Sequence, residues 1–452
     1  MGMGGCLSIK AFFAYAFLVF LSSRTLMAQD SLATPRSVKE LKDSVFSVDQ
    51  IVITGNEQTK DFVILREMTM KPGAPITREL LEYDKNRIYS LGLFNEVRLQ
   101  AVPSSESTAT LVVTLSERWF IYPYPILGLV DRDWSKIYYG LGLLHMNFRG
   151  RNEKLVTSFA LGYNPWLAVS YRNPFLSEEG TYYLDARLVT NVIRNKSLQA
   201  MTSTDNFDER HYAASLTVGK RMAIAHTAWV SVGYEVITVS KYDLQTTLSP
   251  SGEDKYPLFG IGYRYDSRDL AEYPSSGSLL GASISKFGFP SDEVDITRYA
   301  ADARQYIPLS SRAVLAGRMM TDLAAGGPTP SYNRVYFGYG ERVHGHFREV
   351  MEGESMAGAS AEFHYTLMQP VYFHVNGFPP AFSVWRFGFV ATVFGDAGTA
   401  WFRGQPFVLN AFSKGYGVGM DFLLPYSAVV RVDYAWNEVR RGEFILDLGA
   451  SF

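Results

Sequence analysis

The sequence predicts a small α+β domain of order β-α-α-β-β, followed by an all-β transmembrane antiparallel barrel of about 16 strands. Three observations lead there. Helical periodicity is confined to residues 46–118. From Trp119 to Phe452, short alternating runs recur with turn residues between them. Charged residues make up only 19% of the chain, against about 25% in an average soluble domain, so part of the surface faces something other than water.

Composition also excludes several classes. Lys+Arg is 43 and Asp+Glu 45, a net of −2, which removes the electrostatic case for nucleic acid. A single cysteine, Cys6, excludes a disulfide framework or a cysteine-based metal cluster. The 28 Tyr and 30 Phe argue against disorder.

Residues 1–28 read as a secretory signal peptide. Ala11–Leu21 is an apolar run preceded by Lys10 and followed by Leu26-Met27-Ala28, with cleavage expected after Ala28. The run is too short to cross a bilayer as a helix, which needs about 20 residues. Residues 29–45 read as a linker. No later segment offers a membrane-spanning helix, so any crossing is expected to be made by strands.

In residues 46–118, Val48–Ile53 alternates and ends at the Thr54-Gly55-Asn56 turn. Thr59–Met68 has helical spacing, and Lys71-Pro72-Gly73 breaks it. Thr77 can cap the next helix, Glu79 and Glu82 suit its positive end, and Gly92 stops it. Phe94–Leu99 and Thr110–Leu115 are alternating strands. The Gly55-Asn56 turn, Leu65-Arg66 in the first helix and Tyr89-Ser90-Leu91-Gly92-Leu93-Phe94 together resemble a POTRA domain, present in one copy. The resemblance implies a docking platform that pairs an exposed edge strand with extended polypeptide.

The region 119–452 is clearest at its end. Phe444, Leu446, Leu448, Ala450 and Phe452 face one way, with Glu443, Asp447 and Ser451 on the other. Val430, Val432, Tyr434 and Trp436 likewise oppose Arg431, Asp433 and Asn437. Such runs reach about 11 residues, the length that crosses a bilayer at a tilt, and aromatic residues sit at their ends as interfacial girdles require. A soluble sandwich uses strands of about 5–6 residues. Strands are expected to begin near 119, 136, 153, 166, 180, 210, 227, 256, 276, 294, 312, 357, 385, 414, 427 and 442, and the longest connection is Ala324–Met356.

Five motifs in this region resemble those of the BamA/TamA superfamily. They are Asn147–Asn152 with Tyr171–Pro174, the turn motif Asp266, Arg268, Asp269, Pro274 and Gly277, the loop motif Arg342-Val343-His344-Gly345-His346-Phe347 followed by Gly358 and Glu362, the strand motif Phe394–Gly398, and the terminal Phe452. The resemblance implies that the loop motif folds into the lumen and that its central residue meets an acid on the facing wall. Asp396 shares inward parity with Val390, Thr392 and Phe394 and is the expected partner, with Glu362 nearby. The family's arginine is His344 here, so a weaker lock, or substitution by Arg342 or Arg348, is expected. Phe452 is the implied assembly signal.

The resemblance further implies a Gram-negative outer-membrane location, with the POTRA domain in the periplasm. It implies an insertase or translocase that receives unfolded outer-membrane or secreted polypeptides, with outer-membrane lipid as surroundings and periplasmic chaperones or accessory proteins as further partners. Its expected seam lies between the first strand, which carries Pro123 and Pro125, and the last, which carries Phe444, Leu446 and Leu448. The alternatives are a two-partner-type secretion pore and a non-transporting scaffold or surface antigen. No catalytic constellation, cofactor motif or metal motif stands out, so the chain is expected not to be an enzyme.

Overall fold

Five elements build the N-terminal domain in the computed structural model: β1 (Ser47–Thr54), α1 (Asp61–Leu65), α2 (Arg78–Tyr89), β2 (Phe94–Pro103) and β3 (Thr108–Glu117). The structure describes residues 46–448 apart from 130–133, 177–180, 195–196, 198–206, 241–245, 291, 339, 347–348, 380–382 and 426–427. The expected signal peptide, the linker, Phe347 and Phe452 lie outside the described residues. Sheet order is β1-β3-β2, with β1 parallel and β2 antiparallel to β3. Thr77 caps α2, its Oγ1 accepting from the Leu80 N–H at 3.2 Å. Ile64, Met68, Ile88, Phe94 and Leu111 fill the core.

α1 is shorter than the periodicity over Thr59–Met68 predicts, and remote acids explain it. Glu117 accepts the Thr59 N–H at 2.7 Å, which holds the chain outside the helix at its start. At the other end, Asp84 accepts the N–H groups of Thr69 and Met70 at 2.8 and 3.0 Å. Buried backbone donors must be paired, and these two are paired outside a helix.

The remaining strands are β4 (Ile121–Leu129), β5 (Ile137–Phe148), β6 (Glu153–Gly162), β7 (Trp166–Asn173), β8 (Tyr182–Arg194), β9 (Asp208–Arg221), β10 (His226–Val239), β11 (Glu253–Asp266), β12 (Gly277–Phe287), β13 (Ile296–Pro308) and β14 (Ala313–Gly326). A small loop hairpin follows, β15 (Val335–Phe337) and β16 (Met351–Gly353). The series ends with β17 (Ser355–His374), β18 (Val384–Trp401), β19 (Ser413–Leu424), β20 (Ala428–Asn437) and β21 (Gly442–Leu448). Setting the loop hairpin aside, β4 to β21 form one 16-stranded sheet in chain order, and every pairing in it is antiparallel. Each strand starts within three residues of its sequence-based expectation. Two are much longer than the expected span: β17 has 20 residues and β18 has 18.

Alternation sorts the two faces. Leu141, Val230, Ile261, Met319 and Val393 are exposed on the outside, whereas Tyr124, Val390, Thr392, Phe394 and Asp433 are buried inside. An apolar exterior around a partly charged interior is the inverse of a soluble sandwich and is what lipid requires. β4 and β21 are the sheet's two edges, and no pairing joins them among the described residues.

Candidate functional site

The connection between β14 and β17 carries the loop motif and turns back into the barrel. Its two limbs pair as β15 and β16. Arg318 of β14 fixes one limb through Glu341 at 2.9 and 3.0 Å while also pairing with Asp302 at 2.8 Å. Arg334 binds Glu352 at 2.7 Å. At the tip, His344 donates from Nδ1 to Asp396, and its backbone N–H reaches the same carboxylate at 3.2 Å. Its Nε2 lies 3.6 Å from Asp433, and its ring lies 4.3 Å from that of Phe394. Val343 is buried, and His346 bridges Glu349 at 2.8 Å and Glu438 at 2.7 Å. Arg342 also makes contacts. The tip thus meets β18 through Asp396 and β20 through Asp433.

Backbone approach makes this docking possible. Gly345 has φ +80, a region that side chains avoid, and an added Cβ would lie 2.6 Å from the Asn437 nitrogen. On the wall, a Cβ at Gly415 would lie 1.7 Å from the His344 carbonyl oxygen. Only hydrogen at both positions lets loop and wall touch.

Behind His344 lies a buried charge cluster that the sequence reading did not single out. Arg431 binds Asp433 at 2.5 Å and Glu362 at 3.0 Å, lies 3.9 Å from Asp421, and stacks 5.0 Å from the Phe394 ring centroid. Glu362 accepts from His364 at 2.8 Å, and Asp421 accepts from Tyr273 at 2.7 Å. Glu362 is therefore a partner of Arg431. The alternation in β20 had already put Arg431 and Asp433 on the lumen side. The signal available was their match to Asp421 and Glu362 on neighbouring strands.

His344 sits on the loop, not on a spanning strand. Burial disfavours its charged form, but the hydrogen bond to Asp396 and the nearby Asp433 carboxylate outweigh that and raise its pKa to about 9, against some opposition from Arg431. That direction favours the charged imidazole facing Asp396 and Asp433, a cation without the fork of a guanidinium.

The seam residues occupy the two edges. Pro123 and Pro125 lie within β4, their side chains outward. The Phe120 carbonyl accepts from the Met146 N–H of β5 at 2.8 Å. In an antiparallel ladder alternate residues face the same neighbour, so the even residues of β4 bond to β5 and the odd ones face the free edge. Both missing N–H groups are thus missing from the seam. Phe444 and Leu446 are exposed on β21, and Leu448 ends that strand.

The turn motif lies at the opposite rim, under the N-terminal domain. Arg268 donates twice to Asp266 at 2.9 Å, and Asp269 accepts from the N–H groups of Ser275 and Ser276 at 2.9 and 3.1 Å. Pro274 precedes them, and Gly277 begins β12. Directly after Asp269, Leu270 enters the N-terminal domain's core and the Ala271 N–H donates to Ser90 at 3.2 Å. Asn147 binds Thr59 at 2.9 Å, and Gly150 accepts from the Lys60 N–H at 2.9 Å. Glu67 is held by Arg87 at 2.8 Å and by Arg221 of β9 at 2.9 Å. Burial pushes its carboxyl pKa up, but the two guanidiniums outweigh this and hold it below the usual range. These contacts fix the domain across the mouth of the barrel. The sequence reading did not foresee the Glu67 clamp, because its parts are separated by 154 residues.

A family model described as the Omp85 superfamily domain matches residues 147–452, and a POTRA model described as a surface antigen variable number repeat matches residues 46–118. The outer membrane protein assembly factor BamA of Nitratidesulfovibrio vulgaris is 21% identical over 359 residues, covering 74% of this chain and 42% of that protein. The match thus spans less than half the length of that relative. BamA from Haemophilus ducreyi lacking POTRA domains 1–3 has a TM-score of 0.51 at 16% identity, over 89% of this chain and 84% of that one. CdiB from Escherichia coli also has a TM-score of 0.51, at 10% identity, over 92% of this chain and 91% of that one. These structural likenesses show the fold.

Proposed function

The chain belongs to the Omp85 superfamily, and from that premise we propose that it receives unfolded polypeptide at its POTRA domain and assists insertion into the outer membrane at the β4/β21 seam. It is an outer-membrane protein with the POTRA domain in the periplasm. The observation that carries the reading is the proline-bearing outer edge of β4. Any strand closing against it leaves two carbonyls without a donor, and each unmet buried group costs about 1–3 kcal/mol. Such an edge opens more readily than a full ladder and exposes acceptors to an incoming strand. The docked loop occupies the lumen, which favours the seam over a pore as the resting route. Depletion of the chain followed by outer-membrane proteomics tests the proposal. Loss of many barrel proteins is expected, and loss of one secreted protein alone would transfer the function to a secretion pore.

The proline edge gives a direct prediction. The Pro123→Val, Pro125→Val double variant supplies both missing donors and should tighten the seam. On unheated gels its folded band should persist to temperatures several degrees higher, while outer-membrane protein levels fall as in depletion. Unchanged levels with a tightened seam would sever the seam from the function.

We read the loop as a lock on the lumen, with His344 its pH-dependent bolt. A folded pKa raised from 6.5 to about 9 means that the stabilisation is full below about pH 6.5, provided that the carboxylates remain ionised. It is lost as pH rises towards 9. Protease nicking of the loop in intact cells should therefore accelerate between those values. His344→Arg should abolish that rise, because arginine stays charged. A nicking rate independent of pH in the parent chain would remove His344 from the lock.

A further inference from the structure

The hairpin of β17 and β18 runs past both of its neighbours at the periplasmic rim. β14 pairs with β17 only as far as Ala313↔Tyr365, yet β17 continues to His374. β19 pairs with β18 only from Leu423↔Gly388, yet β18 begins at Val384. The register shifts between Thr366 and Val371, where Pro370 sits, so a bulge bends the arm as it leaves the wall.

The two faces of this arm differ. On the inner face, Arg386 pairs with Glu272 of a periplasmic turn and lies 5.3 Å from the Tyr89 ring of the POTRA domain. On the outer face, Phe373 and Phe387 stack at 5.4 Å, Trp385 lies 6.3 Å from Phe373, and Phe378 lies 6.1 Å from Trp385 at the tip. The cross-strand pairs Val371↔Phe387 and Phe373↔Trp385 continue the outward series of the barrel wall above them, where Tyr365 and Val393 are exposed. No charged residue interrupts that outward series.

We propose that this arm is a membrane-interface anchor, its outer aromatic face resting in the headgroup region of the periplasmic leaflet while its inner face holds the POTRA domain. Aromatic residues concentrate at that depth because one part of the ring is apolar and another tolerates water. The partner is lipid because the outward residues running from the lipid-facing wall into the arm are apolar but for the neutral Gln369 at the bulge, whose amide donates to the Ser311 carbonyl. The inference rests on the outer-membrane barrel and not on insertase activity, so it can fail while that activity stands.

The test uses the full chain in phosphatidylcholine vesicles. Of the seven Trp, Trp385 is kept and the others are changed to Phe. Its fluorescence should be quenched several-fold more by lipid brominated near the headgroup than by lipid brominated near the chain end, and only weakly by aqueous iodide. As a second variant, Phe378→Cys in a Cys6→Ser background carries a polarity-sensitive dye, which should shift to the blue on moving from detergent to vesicles. Strong iodide quenching without bromine quenching, or a dye shift that appears only on adding periplasmic extract, would overturn the proposal. The second result would assign the face to a protein partner.

Discussion

Arg431→Ala is expected to lower the amount of folded, heat-modifiable barrel in the outer membrane by about tenfold or more. The change leaves Glu362, Asp421 and Asp433 buried together with their shared cation gone. Removing one partner from a buried pair costs about 3–5 kcal/mol, since the remaining charge has lost its compensation. Here three acids share one guanidinium, so its loss removes the central cation from all three at once. The combination Arg431→Met, Glu362→Gln, Asp433→Asn removes charge from both sides and should restore most of the folded band. Normal levels of the Arg431→Ala chain at neutral pH would show that the cluster is wetter than its burial implies.

Gly415→Val should have a different outcome, an assembled barrel with its loop expelled. The new side chain would occupy the position of the His344 carbonyl. Neither partner is the far end of a flexible side chain, so the clash cannot be relieved by a rotamer change, and the loop must leave. Single-channel conductance in planar bilayers should rise several-fold over the parent, and residues near Glu341 and Val350 should become sensitive to external protease. Parental conductance together with parental protection would place the loop's anchorage elsewhere, in Arg318 and Arg334.

The different parts of the molecule were legible in the sequence to different depths. Strand positions came through because a period of two is local and each turn is marked by its own residues. The inward face of Asp396 followed from the same count. Arg431 was visible as a lumen-side charge, but its burial depends on β17, β19 and the returning loop. A charge on a wetted wall and a charge in a sealed cluster look the same in one strand. α1 was overextended for a similar reason, since the groups that stop it are Glu117 and Asp84, distant in sequence. The two prolines pointed to the seam, but whether their missing N–H groups face it or face β5 could not be read from one strand. That depends on the phase of the β4–β5 ladder, set by the bond from Met146 to Phe120.

The contact between the loop tip and the wall at Gly345 and Gly415 has a consequence for how the loop moves. A loop held only by side chains can slide, exchanging one partner for the next in small steps. Here each backbone fits only where the other lacks a side chain, and the next lumen-facing glycines of β19, Gly417 and Gly419, are already covered by Phe394 and Asp433, so the loop has no second seat along the wall. The loop is indexed to a single position along the wall, like a key with one notch. Intermediate depths of insertion are sterically closed to it. Opening should therefore be an all-or-none event with a discrete conductance step, and its rate should be set by the barrier to leaving the notch rather than by a gradual withdrawal.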